Sequence, residues 1–290
     1  MGSTSPERGI SLLTGRSVEK ALFDLSYDVE CVDFTDDLNS TIPILSNCDL
    51  VFNALHGGIG EDGTIQGFLD CLKIPYTGSG VTASSICMDK NLCKSIISQF
   101  GYKTPDWKLV NKKTGNPSFD TFPVIVKPNS LGSTVGLTLV ENQSIINNAI
   151  ETAFEYDELI LIESYISGRE LTVSIVGETI LPIVEIIPSK KLYDYECKYT
   201  QGMSSYICSP ELPNNLSEEI CQIGKHVYER LGCSNYGRID FLLDEENIPW
   251  ILEVNTLPGM TDTSLVPMAA NEIGWSFSHL IERIIKGVGF

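Results

Sequence analysis

Residues 237–260 (GRIDFLLDEENIPWILEVNTLPGM) leave little room for anything but a β-hairpin. In the first strand Arg238 and Asp240 alternate with Ile239 and Phe241; in the second, Glu253 and Asn255 alternate with Leu252 and Val254. The turn is the polar run Asp244-Glu245-Glu246-Asn247. Side chains two apart on a strand share a face, so folding about this turn sets Asp240 roughly opposite Glu253. One face is apolar and the other holds Arg, Asp, Glu and Asn. Like charges directly opposite destabilise a sheet, and a cation removes that cost. Two carboxylates and an amide oxygen are hard ligands suited to Mg²⁺. Taken alone, the same face also reads as an ordinary solvated strand surface.

The rest of the chain is consistent with a large α/β protein. Its 290 residues are 42% apolar and 20% charged, ordinary values for a globular fold with a substantial core. A net charge of −18 argues against a nucleic-acid partner, which needs a basic footprint. It leaves phosphate ligands open, since a few local lysines beside Mg²⁺ can hold a nucleotide in an acidic protein. The nine cysteines are scattered and the three histidines far apart, which fits reduced, mostly buried thiols rather than zinc or disulfides. No apolar run approaches the ~18 residues of a membrane span, and no signal-peptide pattern opens the chain. A cytoplasmic protein without a membrane partner is the expectation.

Ser5-Pro6-Glu7-Arg8 reads as a helix start with Ser5 as N-cap. Strand-like segments follow at Val29–Phe34 and Asp49–Leu55, then a glycine-rich loop at His56–Gly63 and a helix at Thr64–Leu72. This alternation predicts a doubly wound parallel sheet in a first unit, residues 1–80. A second unit, 81–164, opens with one helix at Thr82–Phe100. It continues with strands at Trp107–Val110, Pro123–Lys127, Leu137–Val140 and Glu158–Ser164 and a helix at Ser144–Phe154. A third, 165–290, holds a hairpin at Glu170–Val176 and Thr179–Ile187, a helix at Ser217–Leu231, the hairpin above and a last helix at Ser276–Lys286. Between them lies a long polar stretch, Ser189–Ser209, without periodicity; loops of that length are usually functional.

Several residues have chemical potential that is weak one by one. Lys127 ends the buried run Val124-Ile125-Val126, where it equally marks an exit to solvent. Lys90 lies in a helix and is less specific still. The loop Gly132-Ser133-Thr134-Val135-Gly136 is small enough for backbone amides to reach phosphate oxygens, but lacks the Walker ending. The connector after Glu163, Ser164-Tyr165-Ile166, can read an adenine edge or serve as a plain linker. Glu170 can reach a ribose hydroxyl or lie exposed. Tyr193–Tyr199 has the composition of a loop that folds over a ligand, with Lys198 available to a terminal phosphate, or of a solvated loop. Glu7 alone suits a helix's first turn, and His56 alone suits a cap.

Together these segments resemble the D-alanine–D-alanine ligase family of the ATP-grasp superfamily. The resemblance covers nearly the whole chain in order: Gly2–Arg8, His56–Gly63, Tyr76–Gly80, Met88–Lys90, Lys127-Pro128 with Gly132–Gly136, Tyr193–Tyr199, Gly237–Asp240, Glu253–Met260 and Ser264–Met268. It implies a three-unit ATP-grasp architecture that binds ATP between the second and third units. Lys90, Lys127 and Lys198 would contact its phosphates, Glu163, Ser164, Tyr165 and Ile166 its adenine, and Glu170 its ribose. Asp240, Glu253 and Asn255 would bind two Mg²⁺, with Mn²⁺ an alternative. Glu7, linked to Ser133 and Tyr199, would engage the first D-alanine, with His56 nearby. Arg238 and the backbone at Gly259 would stabilise the tetrahedral oxyanion, and Ser264 and Leu265 would hold the second D-alanine's carboxylate. Lys198-Tyr199 favours an amine acceptor over D-lactate. A homodimer through the first unit is common in the family.

One departure stands out. Family members begin with an apolar strand before the glycine-rich turn, and here Met1 stands where that strand ends. The N-terminal parallel sheet is therefore expected to lack its usual first strand. Gly9, which weakens a helix by about 1 kcal/mol relative to alanine, adds to the departure around Glu7. The main expectation is ATP-dependent synthesis of D-alanyl-D-alanine for peptidoglycan. The alternatives are another ATP-grasp carboxylate–amine ligase, or a nucleotide-binding protein impaired by its first unit.

Overall fold

The computed structural model describes residues 1–35, 37–113, 121–189, 202–213 and 215–289. Two antiparallel sheets face each other and position everything that follows. The smaller contains β1 (Trp107–Asn111), β2 (Val124–Pro128), β3 (Thr138–Val140) and β4 (Leu159–Ser164) in the order β1-β4-β2-β3. β-Branched residues dominate β2, and β4 alternates Leu with Ile, which suits a pleated surface covered on one side. Helix α6 (Ile146–Phe154) supplies that cover, burying Ile146, Ala149 and Ile150 against Val124, Val126 and Ile162.

The larger sheet contains β5 (Arg169–Val176), β6 (Thr179–Ile180), β7 (Val184–Pro188), β8 (Ser204–Cys208), β9 (Tyr236–Leu243) and β10 (Pro249–Asn255). Its order is β10-β9-β5-β7-β8, with β6 paired to β5. On one face Leu171, Val173, Ile239 and Phe241 meet α7 (Leu216–Arg230) and the pair α4 (Val81–Met88) and α5 (Lys90–Gln99). On the other face, Val176, Val184 and Tyr236 at one end pack under α8 (Leu265–Glu272), α9 (Phe277–Lys286) and α1 (Arg8–Asp24). The other end of that face carries Thr172, Arg238 and Asp240 and looks toward the smaller sheet. Helix α9 is amphipathic, with Leu280, Ile281, Ile284 and Ile285 inward and Ser276 capping it through the His279 amide at 3.2 Å.

Several predicted elements change. The single helix expected over 82–100 breaks at Asp89, whose carboxylate accepts from the Leu92 amide at 2.9 Å and caps a new helix. The break turns Lys90 inward. Helix α1 starts at Arg8, and Ser5 does not cap it; its hydroxyl donates to the His56 carbonyl at 2.6 Å instead. The stretch 189–209 is not all loop, because Ser204–Cys208 pairs with β7. The second half of the first hairpin splits into β6 and β7. Helices α2 (Leu38–Leu45) and α8 each contain a proline and were not anticipated. Of eight described cysteines, three are buried and two exposed.

The first 80 residues depart most. Gly2 bridges Phe34 and Val51 bridges Tyr76, both in parallel, and no longer ladder forms among the described residues of 1–80. Phe34 donates to the Met1 carbonyl at 2.8 Å and the Met1 ammonium to Val32 at 3.1 Å. Across from them, Val51 donates to Pro75 at 2.8 Å. Between segments 29–34 and 50–55 lies a cleft of about 640 Å³, walled by Val29, Val32, Leu50, Phe52, Leu55 and Leu69. No described backbone hydrogen bond crosses it. The expected parallel sheet is thus reduced to two bridges flanking a gap. No helix among the described residues is long and apolar enough to cross a membrane.

Candidate active site

The floor of the site is the hairpin β9–β10. Phe241 pairs with Ile251, but Asp240 pairs with Glu253, so Leu252 is an extra residue. This bulge brings Glu253 opposite Asp240; without it the register would have placed Ile239 there. Asn255 faces Arg238 one step on. Arg238 holds Asp240 with two bonds of 2.8 Å, Thr172 adds one of 2.6 Å, and the Asn255 amide one of 2.9 Å. Lys90 lies 3.8 Å from Glu253. The repulsion read from the sequence is therefore offset by Arg238 and Lys90 on the protein's own account. The described residues contain no group of three or more His, Cys, Asp or Glu suited to a metal. The set here is two acids and an amide, which suits Mg²⁺, a cation that keeps waters and shares phosphate oxygens.

Above the floor stand three lysines, one of which sequence reasoning missed. The Lys127 ammonium lies 2.5 Å from Glu163 Oε1, and Lys94 lies 3.0 Å from Oε2. Lys94 is 1% exposed and also donates to Thr104 at 2.7 Å. Burial alone would raise the Glu163 carboxyl, but the charges of Lys127 and then Lys94 outweigh it and hold the group below its ordinary range. Burial lowers Lys90 and Lys94, opposed by Glu253 and Glu163 respectively. Glu163, expected at adenine, lines the cleft with its carboxylate paired to Lys127 and Lys94.

These groups line a cleft of about 360 Å³ between the two sheets. Its walls include Ile125, Leu137, Ile186 and Leu242, with Lys90, Lys127, Arg238, Asp240 and Glu253 converging on it. Apolar walls with a few convergent polar groups are the mark of a ligand site. The connector enters the same cleft. The Ser164 amide is spent on Asp106 at 2.8 Å and that of Tyr165 on Pro123 at 3.3 Å, which leaves the Ile166 amide as the donor for a base edge. Glu170 lines the cleft.

The loop 131–136 forms one rim. The Lys90 ammonium donates to the Leu131 carbonyl at 2.6 Å. Ser133 and Thr134 hold φ of 53° and 60°, left-handed values uncommon outside glycine that cluster at functional sites. The Ser133 hydroxyl donates to Glu7, which comes from the first unit. Gly57, at φ 69°, sits against the other carboxylate oxygen, and a Cβ there would strike it. His56 lies behind, 3.0 Å from Thr14 and 3.4 Å from Glu61.

The last rim follows β10. Gly259 lies beside Ser264, whose hydroxyl accepts from the Thr261 amide at 3.0 Å. Helix α8 begins at Leu265, so its first amides are available to an anion. Lys198 and Tyr199 lie outside the described residues, as does most of the proposed covering loop.

The D-ala D-ala ligase C-terminus family model matches residues 96–286, and the corresponding N-terminus model matches 35–79. A D-alanine–D-alanine ligase of Syntrophotalea carbinolica is 40% identical over 99% of this chain and 94% of its own length. The Bacillus anthracis D-alanine–D-alanine ligase complexed with ATP superposes with a TM-score of 0.85 at 36% identity, covering 99% of this chain and 95% of that one. The VanG D-Ala:D-Ser ligase of Enterococcus faecalis gives 0.83 at 26% identity, covering 99% and 97%. Two facing antiparallel sheets, a lysine-lined cleft between them and a Glu7–Ser133 contact at its rim accord with these matches, and the chain belongs to the D-alanine–D-alanine ligase family.

Proposed function

We propose that this chain joins two D-alanines into D-alanyl-D-alanine at the expense of ATP, releasing ADP and phosphate for peptidoglycan synthesis. The observation that carries this reading is the loop 131–136. It touches Lys90 in the inter-sheet cleft on one side and Glu7 on the other, so a phosphate site and an amino-acid site share one rim.

A carboxylate is a poor electrophile, and phosphorylation to an acyl phosphate activates it. Lys90 and Lys127 draw the transferring phosphoryl group into line, and Glu163 keeps Lys127 from swinging away. Positioning and fixed charge supply most of the rate in such transfers. Asp240, Glu253 and Asn255 would hold the two Mg²⁺ ions, or Mn²⁺, which when bound neutralise phosphate charge. Glu7, oriented by Ser133, receives the ammonium of the first D-alanine. The α8 amino terminus at Ser264 and Leu265 receives the carboxylate of the second. Its neutral amine then attacks, and Arg238 with the Gly259 backbone faces the oxyanion. Ile166 and Glu170 hold adenine and ribose. Lys198, Tyr199 and the loop around them would exclude water from the acyl phosphate.

We also infer three units, 1–80, 81–164 and 165–290, the first lacking one strand of a parallel sheet. The 640 Å³ cleft flanked by two parallel bridges supports this. Exposed Leu13 and Phe23 on α1 support a homodimer through that unit, and the reaction is cytoplasmic on this reading. Phosphate release with D-alanine, L-alanine, D-serine and D-lactate as separate substrates tests the assignment. Release that needs D-alanine and Mg²⁺ is expected; equal release with L-alanine, or release undiminished by chelator, overturns it.

A further inference from the structure

We propose that Thr14 is a positioning residue for the ligation reaction, joining the loop at Gly259-Met260 to the ring of His56. The proposal rests on the function assigned above. Thr14 lies in the middle of α1 and is 1% exposed. A helical threonine ordinarily turns its hydroxyl back onto its own helix. Here the hydroxyl oxygen lies 3.0 Å from His56 Nε2 and accepts from the Met260 amide at 3.4 Å. Ser11, one turn earlier, makes a parallel tie, donating to the Ala54 carbonyl at 2.7 Å. The inner face of α1 therefore grips the segment that ends at His56, and Thr14 extends that grip to the loop after β10.

The hydrogen-bond count favours one direction for the relay. The Thr14 hydroxyl has one proton, and the Met260 amide already occupies one of its lone pairs. A buried hydroxyl proton needs an acceptor, and His56 Nε2 is the acceptor in reach. The imidazole proton then sits on Nδ1, toward Glu61 Oε1 at 3.4 Å, which also accepts from the Gly57 amide at 3.0 Å. The chain Met260 amide, Thr14 hydroxyl, His56 ring, Glu61 carboxylate thus spans two rims of the substrate site. It carries the Gly57 backbone that abuts Glu7 at one end and the Gly259 backbone at the other. Thr14 touches no reacting atom on this account; it sets where those two backbones stand.

Thr14→Val keeps the shape and removes the hydroxyl, and Thr14→Ser restores it. The expected result for Thr14→Val is a fall of about tenfold or more in kcat/KM for D-alanine, in line with small misplacements of reacting groups. The KM for ATP should be unchanged, and Thr14→Ser should recover most of the loss. Nitrogen-15 spectra of the His56 ring, assigned with a His56→Gln variant, should show protonation at Nδ1 in the unsubstituted protein and loss of the Nε2 acceptor signature in Thr14→Val. D-alanine kinetics unaffected by Thr14→Val, or Thr14→Ser damaged as badly as Thr14→Val, overturn the proposal. So does a His56 ring protonated at Nε2 in the unsubstituted protein, a measurement that stands even if Thr14→Val fails to fold. If the unsubstituted protein releases no phosphate with D-alanine, the ligation reading fails and Thr14 loses its role with it. The spectra then still decide the hydrogen bond.

Discussion

Two clefts among the described residues differ in character. The larger, about 640 Å³, lies mostly among residues 1–69; the smaller, about 360 Å³, lies between the two sheets. Both have apolar walls. Into the smaller converge Lys90, Lys127 and Arg238, paired with Glu253, Glu163 and Asp240 respectively. The larger is lined by the acids Glu19, Asp28, Glu30 and Asp49 and by Met1, whose ammonium pKa burial holds below its ordinary value. Its flanking segments carry backbone edges with nothing bonded across the gap. A ligand site shows itself by polar side chains already oriented, and a vacancy in a sheet by backbone groups that are not.

If the smaller cleft is a preorganised charged site, its cost should appear on removing one charge. Glu163→Gln leaves Lys94 and Lys127 buried with no counter-charge, and breaking a buried ion pair costs about 3–5 kcal/mol. This is the largest effect expected. The pH dependence follows from the sign of the shift. The folded Glu163 carboxyl sits below its ordinary 4.5, so its contribution is complete above that value and is lost as pH falls through the folded pKa. Urea midpoints from pH 7 down to 3 should therefore converge for the two proteins at the acid end. Equal midpoints at pH 7 would mean the cleft's charges are not coupled as described.

The two clefts also differ in how far they can be read from sequence. Part of the floor of the smaller was legible, because strand alternation sets Arg238 with Asp240 and Glu253 with Asn255, but the bulge at Leu252 is what turns both pairs to the same face. That bulge was not legible, because an extra residue leaves no mark in an alternating pattern. Lys94 was invisible for another reason. A lysine in a helix reads as solvated, and its burial depends on Glu163, distant in sequence and adjacent only through the fold. Asp89 hid a helix break inside a long helical pattern. Proline hid α2 and α8, since Pro43 and Pro267 argue against helix while lying inside one. In the first unit the segments 29–34 and 49–55 have strand composition, but a strand needs a neighbour at about 4.8 Å. Composition cannot say whether one is there.

A second test separates charge from stability within the same cleft. Glu253 is partly exposed to the cavity, and its ion pair with Lys90 is long at 3.8 Å. Glu253→Gln should leave the fold intact, because it relieves repulsion with Asp240. It should cut Mg²⁺-dependent turnover by at least about tenfold, the low end for disturbing even a metal's outer shell. A folded Glu253→Gln protein with normal phosphate release at limiting Mg²⁺ would remove Glu253 from the metal set.

The smallest expected effect bears on the larger cleft and on the contrast itself. Joining about eight apolar, β-branched residues to the N-terminus should lay a strand between segments 29–34 and 50–55, parallel to both. Each side chain fully buried gains roughly 1.5–3 kcal/mol. Ordering each residue's backbone costs roughly 1–2 kcal/mol, so the two nearly cancel and the net gain is on the order of 1 kcal/mol. Three further terms favour the extended chain. Open amides and carbonyls on both edges find partners, each such bond contributing about 1 kcal/mol. The Met1 ammonium becomes a neutral peptide group in a place that disfavours charge. The turn through Gly2 to Ser5, which aims Glu7 at Ser133, gains a fixed anchor. The denaturant midpoint should therefore rise modestly, while phosphate release with D-alanine rises by more than stability alone explains. A polar, glycine-rich extension of equal length serves as control and should change neither. If the apolar extension also changes neither, the gap is closed in solution by some other element, and the contrast between the two clefts is one of composition rather than of completeness.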